Sequence, residues 1–316
     1  MDLELVVSRR LEEAQGIVAI ELIAEDGGLL PAFEPGAHID VQATANVIRQ
    51  YSLCNDPGDR RAYRLAVLLE PASRGGSAAI HDLFQVGYKL RVSRPRNNFA
   101  LRAHAERSIL VGGGIGVTPL LPMAYALHAQ GREFELHYAT RSRDKAAFVE
   151  ELQRAAFSAR VRLYHDDGVD GQRFDAAGVL PSPSPGTHLY VCGPGGFMDL
   201  IVRTARDAGW SAGQIHLERF NAQVSMLGES FTVIAARSGV AVRVAADQTI
   251  GEALTAAGIA VPMSCQQGIC GTCLTDVIDG VPDHRDQYLT DDEKATNKQM
   301  TPCCSRSRSP VLTLAL

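Results

Sequence analysis

The sequence predicts a multidomain protein with an antiparallel β-barrel, an α/β domain built on a parallel sheet, and a small α+β domain, in that order. Short apolar segments between Gly, Pro and Asp turns fill the first third, strand-length and helix-length segments alternate over the second, and five of the seven cysteines lie in the last. A length of 316 residues also exceeds what one small core organises. The expected division is barrel 1–102, α/β domain 103–222, linker 223–229 and α+β domain 230–316.

The first segment has the short strands and frequent turns of an antiparallel barrel. Strands are expected at 3–7, 17–23, 38–41, 49–53, 63–69 and 90–92. On one of them Arg49 and Tyr51 share a face, and Ser52 follows directly. A cation, an aromatic ring and a hydroxyl suit a flavin ring and its phosphate, although a surface Arg–Tyr pair has the same appearance.

A glycine pair in the same segment predicts an anion site. Gly75 and Gly76 precede a helical stretch at 78–84. Backbone amides at a helix start favour a phosphate. Loop glycines without a ligand are the alternative interpretation.

The second segment alternates strands and helices, as a parallel sheet with helices on both faces does. Strands are expected at 108–111, 134–138, 161–164, 189–192 and 215–217, with one helix at 146–157 and others ending near 130 and 208. Glycine turns at 112–119 and 193–196 each join a strand to a helix. Two such turns at the carboxyl edge of a sheet can flank one dinucleotide, with its pyrophosphate at the helix ends. Plain strand-to-helix turns without a ligand are the alternative.

The third segment carries the most specific motif. A hairpin at 231–235 and 240–244, a helix at 250–257 and a strand at 311–314 surround it. The ligand candidates, spaced C-x₄-C-x₂-C with a fourth cysteine after twenty-nine residues, are Cys265, Cys270, Cys273 and Cys303. This is the plant-type spacing for a 2Fe–2S cluster, whereas structural zinc, the alternative, prefers paired C-x₂-C hooks. Cys304 is expected to pack as a small hydrophobe.

Composition excludes several other classes of function. Hydrophobic residues make up 46% and charged residues 21%, and the net charge of −5 includes no basic run that would suit nucleic acid. The acidic N-terminus is unlike a secretory signal, and no apolar stretch is long enough to span a membrane. Seven cysteines, an odd number, suit metal ligation in a reducing cytoplasm better than a disulfide framework.

Taken together, five motifs resemble those of the family of phthalate dioxygenase reductases and vanillate demethylase reductases. In order they are Arg49 to Ser52, Arg74 to Ser77, Gly113 to Pro119, Tyr190 to Pro194 and the cysteine loop. The resemblance covers nearly the whole chain. It implies FMN in the barrel, NADH in the α/β domain and a 2Fe–2S cluster in a β-grasp-like ferredoxin domain. FMN is favoured over FAD because FAD-using relatives typically carry their ferredoxin at the N-terminus.

The resemblance also assigns residues to each cofactor, and it assigns no acid, base or nucleophile. It implies flavin contacts from Arg49, Gln50, Tyr51, Ser52, Val67, Leu68, Arg74, Gly75, Gly76, Ser77 and Phe220. It implies nicotinamide contacts from Gly114, Gly116, Thr118, Cys192, Gly193 and Pro194, and cluster ligation by the four cysteines named above. Ser52 is expected near the reactive edge of the flavin and Gly75 to Ser77 at its phosphate. For Phe220, ordinary interdomain packing is the alternative.

One departure concerns the nucleotide. After the second strand of the α/β domain the chain reads Thr140-Arg141-Ser142-Arg143, with no acid there to bind a ribose 2′-hydroxyl. An arginine at this place can accept a 2′-phosphate. The family resemblance nevertheless favours NADH over NADPH.

The implied function is electron transfer. NADH gives two electrons as a hydride to FMN, which passes them singly to the cluster and on to a Rieske-type oxygenase acting on small aromatic or similar compounds; a monomer is favoured. Residues 276–293 hold seven acids and one arginine, a local charge of −6 that suits a basic docking patch or is a solvated loop. The alternatives are a stand-alone NAD(P)H flavin oxidoreductase that reduces small acceptors and a zinc-stabilised nucleotide-binding regulator.

Overall fold

The computed structural model describes residues 2–45, 47–70, 75–167, 173–220 and 227–316. The chain divides into two compact units, Met1–Arg219 and Phe220–Leu316. The first unit contains both the antiparallel and the parallel sheet, and the second contains the cysteine loop. The finer division into three domains and a linker remains a prediction.

The amino-terminal part of the first unit is an antiparallel barrel-type sheet around one apolar core, as predicted. Its elements are β1 (Leu3–Ala14), β2 (Ile17–Ala24), β3 (Ala37–Thr44), β4 (Val47–Ser52), β5 (Tyr63–Leu68), α1 (Gly76–Leu83), β6 (Lys89–Val92) and β7 (Arg96–Asn97). The strands are ordered β4-β3-β6-β1-β2-β5, and β7 pairs with β3. Alternate residues of the strands, among them Val7, Ile20, Ile39 and Leu65, fill the core completely shielded from solvent.

The rest of the first unit is a parallel sheet with its helices, also as predicted. Its elements are β8 (Arg107–Gly113), α2 (Leu120–Ala129), β9 (Glu133–Thr140), α3 (Val149–Arg154), β10 (Val161–His165), α4 (Ala176–Val179), β11 (Thr187–Cys192), α5 (Gly195–Asp207) and β12 (Ile215–Glu218). The order β10-β9-β8-β11-β12 is parallel throughout. Both glycine turns follow central strands, β8 and β11, so they meet at the carboxyl edge of the sheet.

The second unit is a mixed sheet of the β-grasp kind. Its elements are β13 (Phe231–Ala235), β14 (Val240–Val244), α6 (Ile250–Ala256), β15 (Thr275–Asp279), β16 (Pro282–Asp283), α7 (Asp291–Ala295), β17 (Gln299–Met300), β18 (Arg306–Ser307) and β19 (Val311–Leu314). The main sheet runs β14-β13-β19-β15-β17, and only β13 and β19 pair in parallel. Thr249 and Glu252 form a capping box that starts α6.

Helices in this protein are short, since the longest in the described part, α5, has 13 residues. Among the described residues, none of the helices combines the length and apolar character that crossing a lipid bilayer demands. The helix predicted to run through residues 146–157 is shorter because Phe148 takes a left-handed φ of 61° and α3 begins only after it.

Candidate functional site

The strand β4 presents the residues predicted to hold a flavin. It pairs with β3 so that Tyr51 lies opposite Ile39 and Ser52 opposite His38. Tyr51 packs against the barrel core, and burial raises its pKa to about 12 although the charge of Arg49 acts in the other direction. The ring is therefore a neutral, apolar surface on the strand that also carries a cation.

Gln50 turns away from Arg49 and Tyr51, as strand alternation requires. Its Nε2 donates to Asp40 Oδ1 at 3.0 Å, and Arg96 Nη2 lies 2.7 Å from the same oxygen. This group, in which the Asp40 carboxylate is the buried member, supports the pairing of β4 with β3. The predicted flavin contact of Gln50 therefore rests on its backbone or on a change of partner.

The glycine pair lies beside Arg49. An added Cβ at Gly76 would lie 2.6 Å from Arg49 Cγ, so the arginine side chain covers the start of α1. Ser77 is buried, and its Oγ accepts a hydrogen bond from the Glu70 backbone N–H at 3.1 Å. A cation over a helix start is the environment that a phosphate needs, so these residues fit a flavin phosphate. Arg74 lies outside the described residues.

Val67 and Leu68 end the strand β5 that leads toward this helix. Val67 is buried, and its carbonyl oxygen lies 2.9 Å from His81 Nε2 of α1. Leu68 keeps 37% of its surface exposed. The contact with His81 ties β5 to α1, and the predicted backbone contacts of both residues with the flavin stay predictions.

The two glycine turns touch each other backbone to backbone. An added Cβ at Gly116 would lie 2.3 Å from the Cys192 carbonyl oxygen and 2.6 Å from Gly193 N, so only glycine fits there. Gly114 opens the 3-10 helix that holds the first turn, Thr118 Oγ1 donates to Ile115 O at 2.9 Å, and Pro194 precedes α5. The structure thus brings all six predicted nicotinamide contacts into two adjoining turns.

A carboxyl group that sequence reasoning missed lies between these turns and the barrel. Glu218 ends β12 directly opposite Cys192 of β11, and its Oε2 accepts a hydrogen bond from Ser52 Oγ at 3.3 Å. Burial raises the pKa of Glu218 to about 8 against the opposing effect of the Ser52 hydrogen bond. The carboxyl is therefore protonated at neutral pH. The sequence feature that could have indicated Glu218 is its position, one residue after the last predicted strand of the sheet.

Cys192 lies opposite Glu218 and is chemically unreactive. Its side chain is completely buried, and burial together with the nearby Glu218 raises the pKa of its thiol well above the usual value. A thiol held in its neutral form is a poor nucleophile. Cys192 thus offers packing and shape at this place.

The segment after β9 contains the residues that bear on the choice between NADH and NADPH. Thr140 Oγ1 lies 2.7 Å from His165 Nδ1, which fixes the end of the strand. Arg141 and Arg143 are exposed, and the Ser142 hydroxyl donates to the Asp144 carboxylate. An exposed acid therefore follows the two arginines, and the preference for NADH stays a prediction.

Phe220 is the first residue of the second unit and is half-buried. Its predicted place near the flavin, like ordinary packing between domains, is untested. It remains a prediction.

The four predicted cluster ligands gather in the second unit. Cys265, Cys273 and Cys303 are buried and Cys270 is half-buried. The thiol of Cys265 interacts with those of Cys270 and Cys303, and the thiol of Cys273 with that of Cys303. Hydrogen bonding from Cys270 lowers the pKa of Cys265, and the same contact raises that of Cys270. Four thiols held this close supply two sulfurs to each of two irons, so the donor set fits a 2Fe–2S cluster.

The loop around these thiols depends on main-chain donors and on one glycine. The backbone N–H of Gln267 points at Cys265 Sγ at 3.4 Å and that of Thr272 at Cys270 Sγ at 3.5 Å. Gly271 has a left-handed φ of 69°, and an added Cβ would lie 2.2 Å from the Tyr288 ring. Such amides tune the reduction potential of a cluster. Cys304 is fully buried with its Sγ 3.2 Å from Thr301 Oγ1, which suits the packing role expected for it.

The acidic stretch is less acidic at its surface than its composition implies. Asp286 is buried and accepts hydrogen bonds from the backbone N–H groups of Tyr288 and Leu289. Asp283 pairs with Arg285 at 2.7 Å. The exposed members are Asp276, Asp279, Asp291, Asp292 and Glu293. A smaller acidic surface than the counted charge therefore remains for docking.

Comparison with known proteins agrees with this geometry. Residues 233–308 match the 2Fe-2S iron-sulfur cluster binding domain family, and residues 88–215 match the N-terminal domain of dimethylamine monooxygenase subunit DmmA-like proteins. The chain is 51% identical to a vanillate O-demethylase oxidoreductase of Pseudomonas sp. strain HR199, over 99% of this chain and 100% of the relative. It is 40% identical to a tetrachlorobenzoquinone reductase of Sphingobium chlorophenolicum, over 99% and 97% of the two chains.

Among solved structures, the chain resembles one titled phthalate dioxygenase reductase, a modular structure for electron transfer from pyridine nucleotides to 2Fe–2S. The TM-score is 0.80 with 39% identity, over 99% of this chain and 98% of the other. Both sheets of the first unit and the sheet of the second are thus covered by one solved relative.

Proposed function

Because the chain belongs to the oxidoreductase family that includes vanillate O-demethylase oxidoreductase and phthalate dioxygenase reductase, we propose that it is the reductase component of an oxygenase system. Electrons pass from NADH through FMN and a 2Fe–2S cluster to a Rieske-type oxygenase. The observation that carries the proposal is the gathering of four thiols at plant-type spacing in the same chain as two adjoining glycine turns. The protein acts in the cytoplasm, since a reducing compartment keeps those thiols free to bind iron.

The residues of the chain position cofactors rather than perform bond chemistry. When bound, FMN takes up two electrons as a hydride and the cluster takes up one electron at a time. Arg49 and the amides at Gly76 would hold the flavin phosphate, and the turns at Gly116 and Gly193 would hold the dinucleotide. Ser52 would lie at the reactive edge of the flavin.

Glu218 adds a proton-holding group behind Ser52. With a pKa raised to about 8 by burial, its carboxyl keeps a proton at neutral pH, 3.3 Å from the Ser52 hydroxyl. A neutral acid can donate a hydrogen bond where a carboxylate cannot. Glu218 and Ser52 therefore keep this edge of the site uncharged and supplied with donors.

An anaerobic titration with NADH tests the proposal on the purified protein. We expect the visible spectrum to show flavin reduction and the EPR spectrum to show a reduced 2Fe–2S cluster. Cys270→Ser should still reduce ferricyanide with NADH but lose electron transfer to the oxygenase. A colourless protein, or a Cys270→Ser variant with full oxygenase turnover, contradicts the proposal.

A second candidate function is reduction of small acceptors such as quinones by the same flavin. The similarity to a tetrachlorobenzoquinone reductase favours it. Quinone reduction that is fast in the wild type and unchanged in Cys270→Ser supports this second function, because it bypasses the cluster. Loss of quinone reduction in that variant would show that electrons reach the quinone through the cluster.

A further inference from the structure

One carboxylate in the first unit accepts hydrogen bonds from two different regions. Arg64 donates to Glu151 in bidentate fashion, with Nη1 to Oε2 at 2.7 Å and Nη2 to Oε1 at 2.8 Å. The hydroxyl of Tyr125 donates to the same Oε1 at 2.7 Å. The side chains of Arg64 and Glu151 keep only 18% and 25% of their surfaces exposed, so this pair is weakly screened by solvent.

The partners of Glu151 lie in the two parts of the predicted reaction site, the barrel predicted to bind flavin and the parallel sheet predicted to bind the nucleotide. Arg64 lies on β5 of the barrel, and its Nη2 also donates to the carbonyl of Cys54 at 2.8 Å, two residues beyond Ser52. Tyr125 lies on α2, the helix that leaves the first glycine turn. A chain of three hydrogen bonds thus joins the end of the predicted flavin strand to the helix that starts at the predicted nucleotide turn.

Further contacts attach the segment before α3 to the barrel. Phe148 has a left-handed φ of 61°, its N–H donates to Glu13 Oε1 at 2.8 Å, and its ring lies 4.9 Å from the Arg64 guanidinium carbon. The N–H of Gln15 donates to the Asp144 carbonyl at 2.8 Å. A bulky residue holds a left-handed φ only where its surroundings impose it, so these contacts are strong enough to set the backbone.

Beside these links a half-open cleft of about 620 Å³ lies between the barrel and α3. Its lining includes Arg9, Glu21, Arg143, Val149 and Arg154. On this side the barrel and the parallel sheet are separated by open space and not by apolar packing. The angle between them therefore depends here on the polar contacts named above.

We propose that Glu151 is a positioning residue for hydride transfer, setting the barrel against the nucleotide-binding sheet through Arg64 and Tyr125. This inference rests on the proposed function. In the step concerned, NADH becomes NAD⁺ and the flavin gains a hydride with its electron pair, plus one proton from solvent. Reacting atoms must come within roughly 3–3.5 Å, and a misplacement of about 1 Å slows such a step on the order of a hundredfold.

Stopped-flow reduction of the flavin by saturating NADH, without oxygen, tests this on the holoprotein. In Glu151→Gln we expect the rate constant to fall at least about tenfold while the NADH dissociation constant changes less than about twofold. Hydrogen–deuterium exchange should rise both in residues 144–151 and in the strand end at 52–54. Glu150→Gln is the matched control on the same helix, since the 3.4 Å pair of Glu150 with Arg154 is exposed and should matter little.

A double variant separates positioning from stability. Glu151→Gln leaves the Arg64 guanidinium without its carboxylate and should lower the melting temperature. Arg64→Met with Glu151→Leu removes both charges, so its melting temperature should return toward that of the wild type while flavin reduction stays slow. A wild-type rate in Glu151→Gln, or a rate that recovers together with the melting temperature, overturns the inference. Failure of the wild type itself to reduce its flavin with NADH overturns the proposed function instead.

Discussion

Two buried arginines, one in each unit, are stabilised in different ways. Arg64 lies 4.9 Å from the Phe148 ring and meets a carboxylate on another part of the fold. Arg306 lies 5.2 Å from the Phe231 ring and is 1% exposed. Its guanidinium donates to the backbone carbonyls of Gln248 at 2.6 Å and of Glu229 and Ala245 at 2.9 Å.

The pKa values follow this difference. For Arg64, burial acts to lower the pKa, but the interactions with Glu151 and Cys54 together outweigh burial and raise it. For Arg306, burial lowers the pKa and the nearby Arg285 lowers it further, against the opposing charges of Asp283 and Asp247. A carboxylate thus stabilises the guanidinium where two sheets must be oriented, whereas carbonyl dipoles suffice where one small fold closes on itself.

The largest expected effect comes from removing the carbonyl-bound cation. Arg306→Met removes the donor to three partly buried carbonyls and should destabilise the second unit by about 3–5 kcal/mol. Thermal unfolding followed through the visible circular dichroism of the cluster measures this. Arg308→Met is the control, because the Arg308 side chain is 69% exposed at 3.5 Å from Asp283. Equal melting temperatures for the two variants would show that the carbonyl cage adds nothing.

A smaller effect is expected from Glu218, a buried acid with a serine as its hydrogen-bond partner. Its pKa is raised from 4.5 to about 8, so the folded state keeps a proton that the unfolded chain loses. The stability it contributes is complete below pH 4.5 and is lost as pH rises through 8. Between pH 5 and 8 the wild type should lose about 3 kcal/mol more than Glu218→Gln. Parallel stability profiles in denaturant would contradict the raised pKa.

The smallest effect is expected from two histidines that cannot both be charged. His188 Nδ1 lies 2.9 Å from His216 Nε2. Burial, then Arg102 and His188, lower the pKa of His216 from 6.5 to about 4. Its stabilising contribution is present above pH 6.5 and is lost as pH falls toward 4. The first unit should lose about 1 kcal/mol between pH 7 and 5, and His216→Gln should lose less. A melting temperature equally sensitive to acid in both proteins rules this out.

Much of the fold was predictable because its strands are periodic and its turns carry glycine. The first strand was predicted to end at residue 7, yet β1 runs to Ala14, since its charged second half pairs with β2 through bulges. Pairing with a neighbour decides such a strand, and local apolar character does not reveal it. The helix starting at Val149 was predicted three residues too long at its beginning, because the Phe148 contact with Glu13 is a tertiary one.

The candidate site divides in the same way. The cysteine spacing and the glycine turns at Gly116 and Gly193 are short sequence patterns. The predictions of a cluster site and a dinucleotide site therefore need no knowledge of tertiary contacts. Glu218 could not be predicted in this way, because its raised pKa depends on burial beside Ser52, 166 residues away along the chain. Glu151 is similar, since an acid on an amphipathic helix looks like any solvated residue until Arg64 and Tyr125 converge on it.

The strand at Val311–Leu314 occupies the middle of the second unit's sheet, between β13 and β15. Proteins are synthesised from the N-terminus, so β13 and β14 leave the ribosome long before their central neighbour exists. In the first unit β6 likewise comes late in the chain and lies between β3 and β1, so that sheet too waits for a later strand. The sheet of the second unit is therefore completed only after translation of residue 314, and the nascent hairpin must be kept from mispairing until then.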